Sequence, residues 1–121
     1  NTIVFLGQRN YVPKILALSD IFVLPTFFEG LSFAILEAMA SQLPIITTNI
    51  PENKELIKNN HSGLLCPVGD SDCLAKKMEF LINNKKQASK FALNGLNKIK
   101  KDFAIEVIMK KWERYLKKYS N

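Results

Sequence analysis

Two glutamates, Glu29 and Glu37, stand in the segment "PTFFEGLSFAILEAMA", residues 25–40. Around Glu37 the sequence supplies Phe33, Ala34, Ile35, Leu36, Ala38, Met39 and Ala40. A helix that is apolar nearly all round is expected to be buried on most faces. A buried, ionised carboxylate without partners is costly or shifts its pKa. Glu37 therefore calls for hydrogen-bond donors, and a vicinal diol such as a ribose supplies two in a geometry that suits a carboxylate. Just upstream, "EGLS" places Gly30 where it permits a tight turn and close backbone approach to a ligand. The N–H groups of Gly30, Leu31 and Ser32 would face outward from a helix N-terminus, whose partial positive charge suits a phosphate. Glu29 lies before them, placed for a sugar hydroxyl. The step from Glu29 to Glu37 is about 12 Å if helical throughout, the scale of a nucleotide diphosphate sugar. The plainer alternative makes Glu29 a solvated loop residue and Glu37 part of a polar edge.

The elements that must position these groups follow from the apolar pattern. Short continuous apolar runs predict buried strands at Thr2–Gly7, Ile21–Pro25, Pro44–Thr48 and Gly63–Cys66. Helical spacing appears in "VPKILALSD", with Pro13 in a first turn, and in "SFAILEAMAS", with Ser32 as its N-cap. "ENKELIKNN" predicts a short helix. From Asp70 onward only helices are expected: one capped by Asp70 or Ser71 with Leu74, Met78 and Leu81 on one face, one from about Gln87 to Lys101, and one from about Ala104 to Lys118. Apolar strands alternating with helices imply an α/β fold, a Rossmann-like doubly wound parallel sheet, followed by C-terminal helices. Ligands in such sheets sit beyond the carboxyl ends of the strands, where the loops Pro25–Ser32 and Gly7–Asn10 fall.

The 121 residues suit one domain, with residues 1–84 as the α/β layer and residues 85–121 as helices packing on it. With 47% hydrophobic and 23% charged residues, the chain reads as globular. No apolar run approaches the roughly 18 to 20 residues of a membrane span. The opening "NTIVFLG" has no basic leader and no starting Met, so the chain is expected to be a fragment of a larger protein. The net charge of +6 is uneven: residues 1–84 carry six basic and eight acidic side chains, residues 85–121 eleven and three. Contact with an anionic partner would therefore fall on the tail. Cys66 and Cys73 read as thiols in a reducing cytosol. His61, the single histidine, sits in the polar loop "KNNHSG". No Ser-His-Asp or Cys-His set and no metal-ligand cluster can be assembled. A receiver-like domain is disfavoured because Asp20 precedes its strand instead of ending it.

The segment "FFEGLSFAILEAMASQLPIITTN" resembles the donor-binding signature of retaining, GT-B-fold glycosyltransferases of the large family numbered four. "VFLGQRN", "SDIFVLPT", "NKELI", "SGLLCPVGD" and "DCLAKKMEFL" resemble the flanking segments in the same order. The resemblance implies the donor-binding, C-terminal lobe of an enzyme that moves a hexose from a nucleotide diphosphate sugar to an acceptor hydroxyl, in polysaccharide, lipopolysaccharide or glycolipid synthesis. Glu37 resembles the ribose-binding glutamate, and Glu29 the glutamate at the transferred sugar near the anomeric centre. Gly30, Leu31 and Ser32 match the stretch whose amides meet the diphosphate or sugar. Arg9, in "GQRN", matches a loop position that reaches the diphosphate in some relatives, although an exposed loop arginine is the commoner outcome. One departure is "IPENKE", with Pro51 and Glu52 near the family's Gly-Gly pair.

No metal and no cofactor beyond the nucleotide-sugar donor is implied. The family's upstream basic pair and the acceptor lobe are not in this sequence, so the fragment alone is expected to be inactive. The expected location is the cytoplasm, or the cytoplasmic face of the membrane, with the basic C-terminal helices meeting anionic lipid. The alternative class is a non-catalytic nucleotide-binding domain, or a basic module for membranes or nucleic acid. For nucleic acid the sequence offers neither a reading helix nor an aromatic platform. The tail lysines could equally be solvated, with Trp112 packed inward.

Overall fold

The computed structural model describes residues 2–102. Eight elements follow in order: α1 (Val12–Ala17), β1 (Phe22–Leu24), α2 (Phe33–Ala40), β2 (Ile45–Thr48), α3 (Pro51–Leu56), β3 (Leu64–Cys66), α4 (Ser71–Asn83) and α5 (Lys85–Asp102). The helix expected at Ala104–Lys118, with Trp112, lies outside the described residues.

The strands form a parallel sheet in the order β1-β2-β3, with Val23 opposite Ile46 and Ile46 opposite Leu64. Successive strand side chains point to opposite faces, which divides the core in two. Ile45 packs with Leu16, Ile35, Met39 and Leu56 on the α1–α2–α3 side. Ile46, Leu64 and Cys66 pack with Leu81 and Phe91 on the α4–α5 side. The sheet is thus covered by helices on both faces, which explains why all four residues of β2 are buried.

Local chemistry sets the boundaries. Pro13 lies in the first turn of α1 and Pro51 in that of α3, where a missing N–H costs nothing. The proline in "IPENKE" therefore opens a helix. Asp70 caps α4 by accepting from the Cys73 N–H at 2.9 Å. At Gly63 an added Cβ would come within 2.9 Å of the Ile45 carbonyl, so only glycine lets this backbone approach β2. Helix α5 packs on α2 and α4.

Two expectations are corrected. Residues 2–7 form no strand, and Ile3 and Phe5 are 86% and 93% exposed. A strand needs a hydrogen-bonding neighbour, and among the described residues none pairs with this run. The cysteines are not free thiols: Cys66 and Cys73 form a disulfide. Cys66 ends β3 and Cys73 sits in the first turn of α4, which brings their Cα atoms to 5.9 Å, within bridging range. Of the three apolar residues that share one face of α4, Leu81 is buried, Leu74 half-buried and Met78 exposed.

Candidate functional site

The carboxyl end of β1 leads into the loop 25–32, which ends at the N-terminus of α2. Ser32 is buried and caps that helix, its hydroxyl accepting from the Ile35 N–H at 3.3 Å. The end of the helix that Ser32 caps carries the partial positive charge that suits an anion. Glu29 is half-buried on the loop, whereas Gly30 and Leu31 are exposed beside Phe27 and Phe28. The turn at Gly30 does not use the left-handed region, and an added Cβ would meet nothing within 4 Å. Its own backbone does not require glycine; what glycine leaves there is open access. Glu29, Gly30, Leu31 and Ser32 are consecutive and lie together at this edge.

Glu37 does not stand where its burial was expected. Helix α2 buries Ile35, Leu36, Ala38 and Met39 and exposes Phe33, Ala34, Glu37 and Ala40. The four exposed positions recur at helical spacing on one face. Apolar neighbours in sequence did not become apolar cover in space, so the desolvation argument for a partner to Glu37 falls. Glu37 lies one turn beyond Phe33 on the helix that Ser32 caps. Arg9 is exposed, and its guanidinium lies 5.9 Å from the centroid of the Tyr11 ring, a cation–π contact.

A polar cluster that the sequence reading missed lies at the same edge. Thr47 donates its hydroxyl to the Leu24 carbonyl at 2.8 Å, and Thr48 donates to the Thr26 carbonyl. Asn53, fully buried on α3, donates its amide to Thr47 Oγ1 at 2.9 Å and to the Thr48 carbonyl at 3.1 Å. Among the described residues Asn53 Oδ1 has no partner, and a buried acceptor left so costs about 1–3 kcal/mol. The signal was present as two threonines ending an otherwise apolar strand. An asparagine follows three positions before Leu56, on the inner face of a short helix.

Among the described residues no group of three or more His, Cys, Asp or Glu is placed to hold a metal ion. No described helix is long and apolar enough to cross a membrane.

Comparison with known proteins fits this arrangement. The profile of the family described as glycosyl transferases group 1 matches residues 1–84, from the start of the chain to the end of α4. An Escherichia coli UDP-Gal:alpha-D-GlcNAc-diphosphoundecaprenol alpha-1,3-galactosyltransferase is 36% identical over 90% of this chain and 31% of its own length. A Staphylococcus aureus capsular polysaccharide biosynthesis glycosyltransferase is 30% identical over 96% of this chain and 32% of its own. The chain thus spans about a third of the length of these curated relatives. Among solved structures, the C-terminal domain of a glycosyl transferase group 1 family protein from Francisella tularensis superposes with a TM-score of 0.75 at 31% identity, covering 85% of this chain and 53% of that one. An Anabaena protein crystallised with UDP-glucose shares the fold, with a TM-score of 0.84 at 23% identity over 94% of this chain and 32% of its own. A parallel α/β sheet with a capped helix after β1, and a family signature across that helix, lead to one assignment: the chain belongs to the glycosyl transferases group 1 family.

Proposed function

We propose that this chain is the donor-binding part of a retaining glycosyltransferase, which moves a hexose from a nucleotide diphosphate sugar to an acceptor hydroxyl in polysaccharide, lipopolysaccharide or glycolipid synthesis. The observation that carries this reading is the continuous run from the end of β1 through Glu29, Gly30, Leu31 and Ser32 into the N-terminus of α2. The names of the relatives support it, since one uses UDP-galactose and a structural neighbour holds UDP-glucose.

In this reading the amides of Gly30, Leu31 and Ser32, at the positive end of α2, take the negative charge that grows on the leaving diphosphate. Glu29 is the residue at the transferred sugar; it orients the hexose and need not act as a nucleophile. Glu37 accepts from the ribose hydroxyls, and Arg9 reaches toward the diphosphate. The anomeric C–O bond to the diphosphate breaks, with its electron pair going to the leaving oxygen. The acceptor oxygen bonds to the anomeric carbon and passes its proton to the departing phosphate. This scheme calls for neither a metal nor a second cofactor. The acceptor lobe belongs to the remainder of a larger enzyme, so these residues alone would not turn over.

Helix α5 adds a surface to the reading. It buries Ala88, Phe91 and Ala92 and exposes Lys85, Lys86, Lys90, Lys100 and Lys101, a basic outer face suited to anionic lipid on the cytoplasmic side of a membrane.

Titrating the full-length enzyme with a panel of nucleotide sugars, while following its thermal midpoint, tests the proposal. One donor should raise the midpoint, and Glu29→Gln should lower kcat by about 100- to 1000-fold with UDP affinity retained. No shift with any nucleotide sugar, or a product of inverted configuration, would overturn it.

A further inference from the structure

The buried cluster at the ends of β1 and β2 leaves little freedom in its hydrogen bonding. A threonine hydroxyl has one proton to give. Thr47 spends its proton on the Leu24 carbonyl, and Thr48 spends its own on the Thr26 carbonyl. Both oxygens then offer only lone pairs to Asn53. Only an NH2 group can answer them, and it reaches Thr47 Oγ1 at 2.9 Å and Thr48 Oγ1 at 3.3 Å. The 3.3 Å contact between Thr26 Oγ1 and Thr48 Oγ1 acquires a direction by the same reasoning, with Thr26 as donor. The cluster has one consistent pattern, and it fixes which end of the Asn53 amide faces the strands.

That pattern ties three elements together. Leu24 ends β1, Thr26 begins the loop that contains Glu29, Thr47 and Thr48 end β2, and Asn53 belongs to α3. The tie reaches β3 as well, because the Asn49 N–H donates to the Cys66 carbonyl at 2.8 Å. Yet among the described residues no donor reaches the buried Asn53 Oδ1. Packing alone would be served by an apolar side chain of similar size, with no acceptor left over.

We infer that Asn53 is a positioning residue, which through Thr47 and Thr48 fixes the backbone from Leu24 to Thr26 and so aims the loop that presents Glu29. The functional half of this inference rests on the donor-site reading above. Asn53 does not touch the donor; it sets where Glu29 stands. The ribose contact at Glu37 belongs to α2 and is spared.

The test uses the full-length enzyme with Thr48→Val, Asn53→Ala and the wild type. Thr48→Val keeps the β-branched shape of a strand residue and removes the hydroxyl that holds Thr26, so the test survives if Asn53→Ala fails to fold. In Thr48→Val, kcat should fall about 10- to 100-fold, because small misplacements at a reacting centre cost that much. UDP affinity should stay within about twofold, while amide hydrogen exchange at Phe27 to Leu31 quickens. A folded Thr48→Val with unchanged kcat and unchanged exchange would overturn the inference. So would equal losses in kcat and UDP affinity that follow the thermal midpoint, the mark of a merely structural residue. A wild type that binds no UDP would sink the donor reading instead; loop exchange would then decide the anchoring alone, with unchanged protection refuting it.

Discussion

Helix α2 has two faces of nearly the same composition and opposite settings. Inward, Ile35, Ala38 and Met39 are each 0% exposed against β2 and its neighbours. Outward, Phe33, Ala34, Glu37 and Ala40 are exposed. Both faces are apolar or small except for one glutamate. The inner face serves the fold, whereas the outer one, beginning at the capped N-terminus, is exposed among the described residues. Composition alone did not separate them, but substitution should. Met39→Ala deletes most of a fully buried side chain, next to the close approach of Gly95. It should destabilise the chain by about 2–5 kcal/mol, read as a lower urea midpoint. A loss under about 1 kcal/mol would mean that α2 is not seated as described.

The outer face should respond in the opposite manner. Glu37 is exposed, so Glu37→Ala should leave stability within about 0.5 kcal/mol. In the full-length enzyme the same substitution should weaken nucleotide-sugar binding by about 10- to 100-fold, the worth of a hydrogen bond to a charged group. Calorimetric titration with UDP measures the second quantity and a urea melt the first. If stability falls and affinity does not, Glu37 is a structural residue and the two faces of α2 are alike.

These two faces also mark how far the sequence could be read. Periodicity located α2 to within a residue at either end, and Ser32 as its cap, because both are local properties of the chain. The central strand was equally legible, since "PIITT" is buried on both faces wherever it goes. Where the reading failed, the missing information was about a second surface. Thr2–Gly7 has the composition of a strand, but a strand also needs a neighbour, and Glu37 has the setting of a buried group without the cover. The Asn53 cluster was hidden for another reason. Threonine is at home in strands, so its hydroxyls drew no notice until β1 and α3 were brought to them.

The two ends of α2 allow smaller tests of the same separation between fold and site. Ser32→Ala removes the acceptor for the Ile35 N–H and should cost about 1 kcal/mol. Because that serine also ends the candidate anion-binding loop, the comparison with Asp70→Ala on α4 sharpens the reading. Both losses should be alike in a thermal melt, while only Ser32→Ala should lower UDP affinity in the full-length enzyme. Equal affinity in the two variants would remove the start of α2 from the donor site.

At the other end, α2 closes at its C-cap Ser41, followed by Gln42, whose φ of 56° is left-handed and whose N–H donates to the Met39 carbonyl at 3.1 Å. An L-residue held there costs roughly 1–2 kcal/mol, which glycine avoids. Glycine also gains unfolded-state freedom, worth about 0.4–1 kcal/mol against it. Gln42 is exposed, so its side chain has little packing to lose. Gln42→Gly should therefore stabilise the chain by about 0.5–1 kcal/mol, raising the thermal midpoint by about 2–5 °C. Gln42→Val, branched at Cβ, should lower it, because β-branched residues are outliers at positive φ. A midpoint that falls with glycine would place this turn outside the left-handed region. Leu43, whose N–H donates to the Ala38 carbonyl at 3.1 Å, would then enter β2 by a different path, and the inner face of α2 would lose the register that distinguishes it from the outer one.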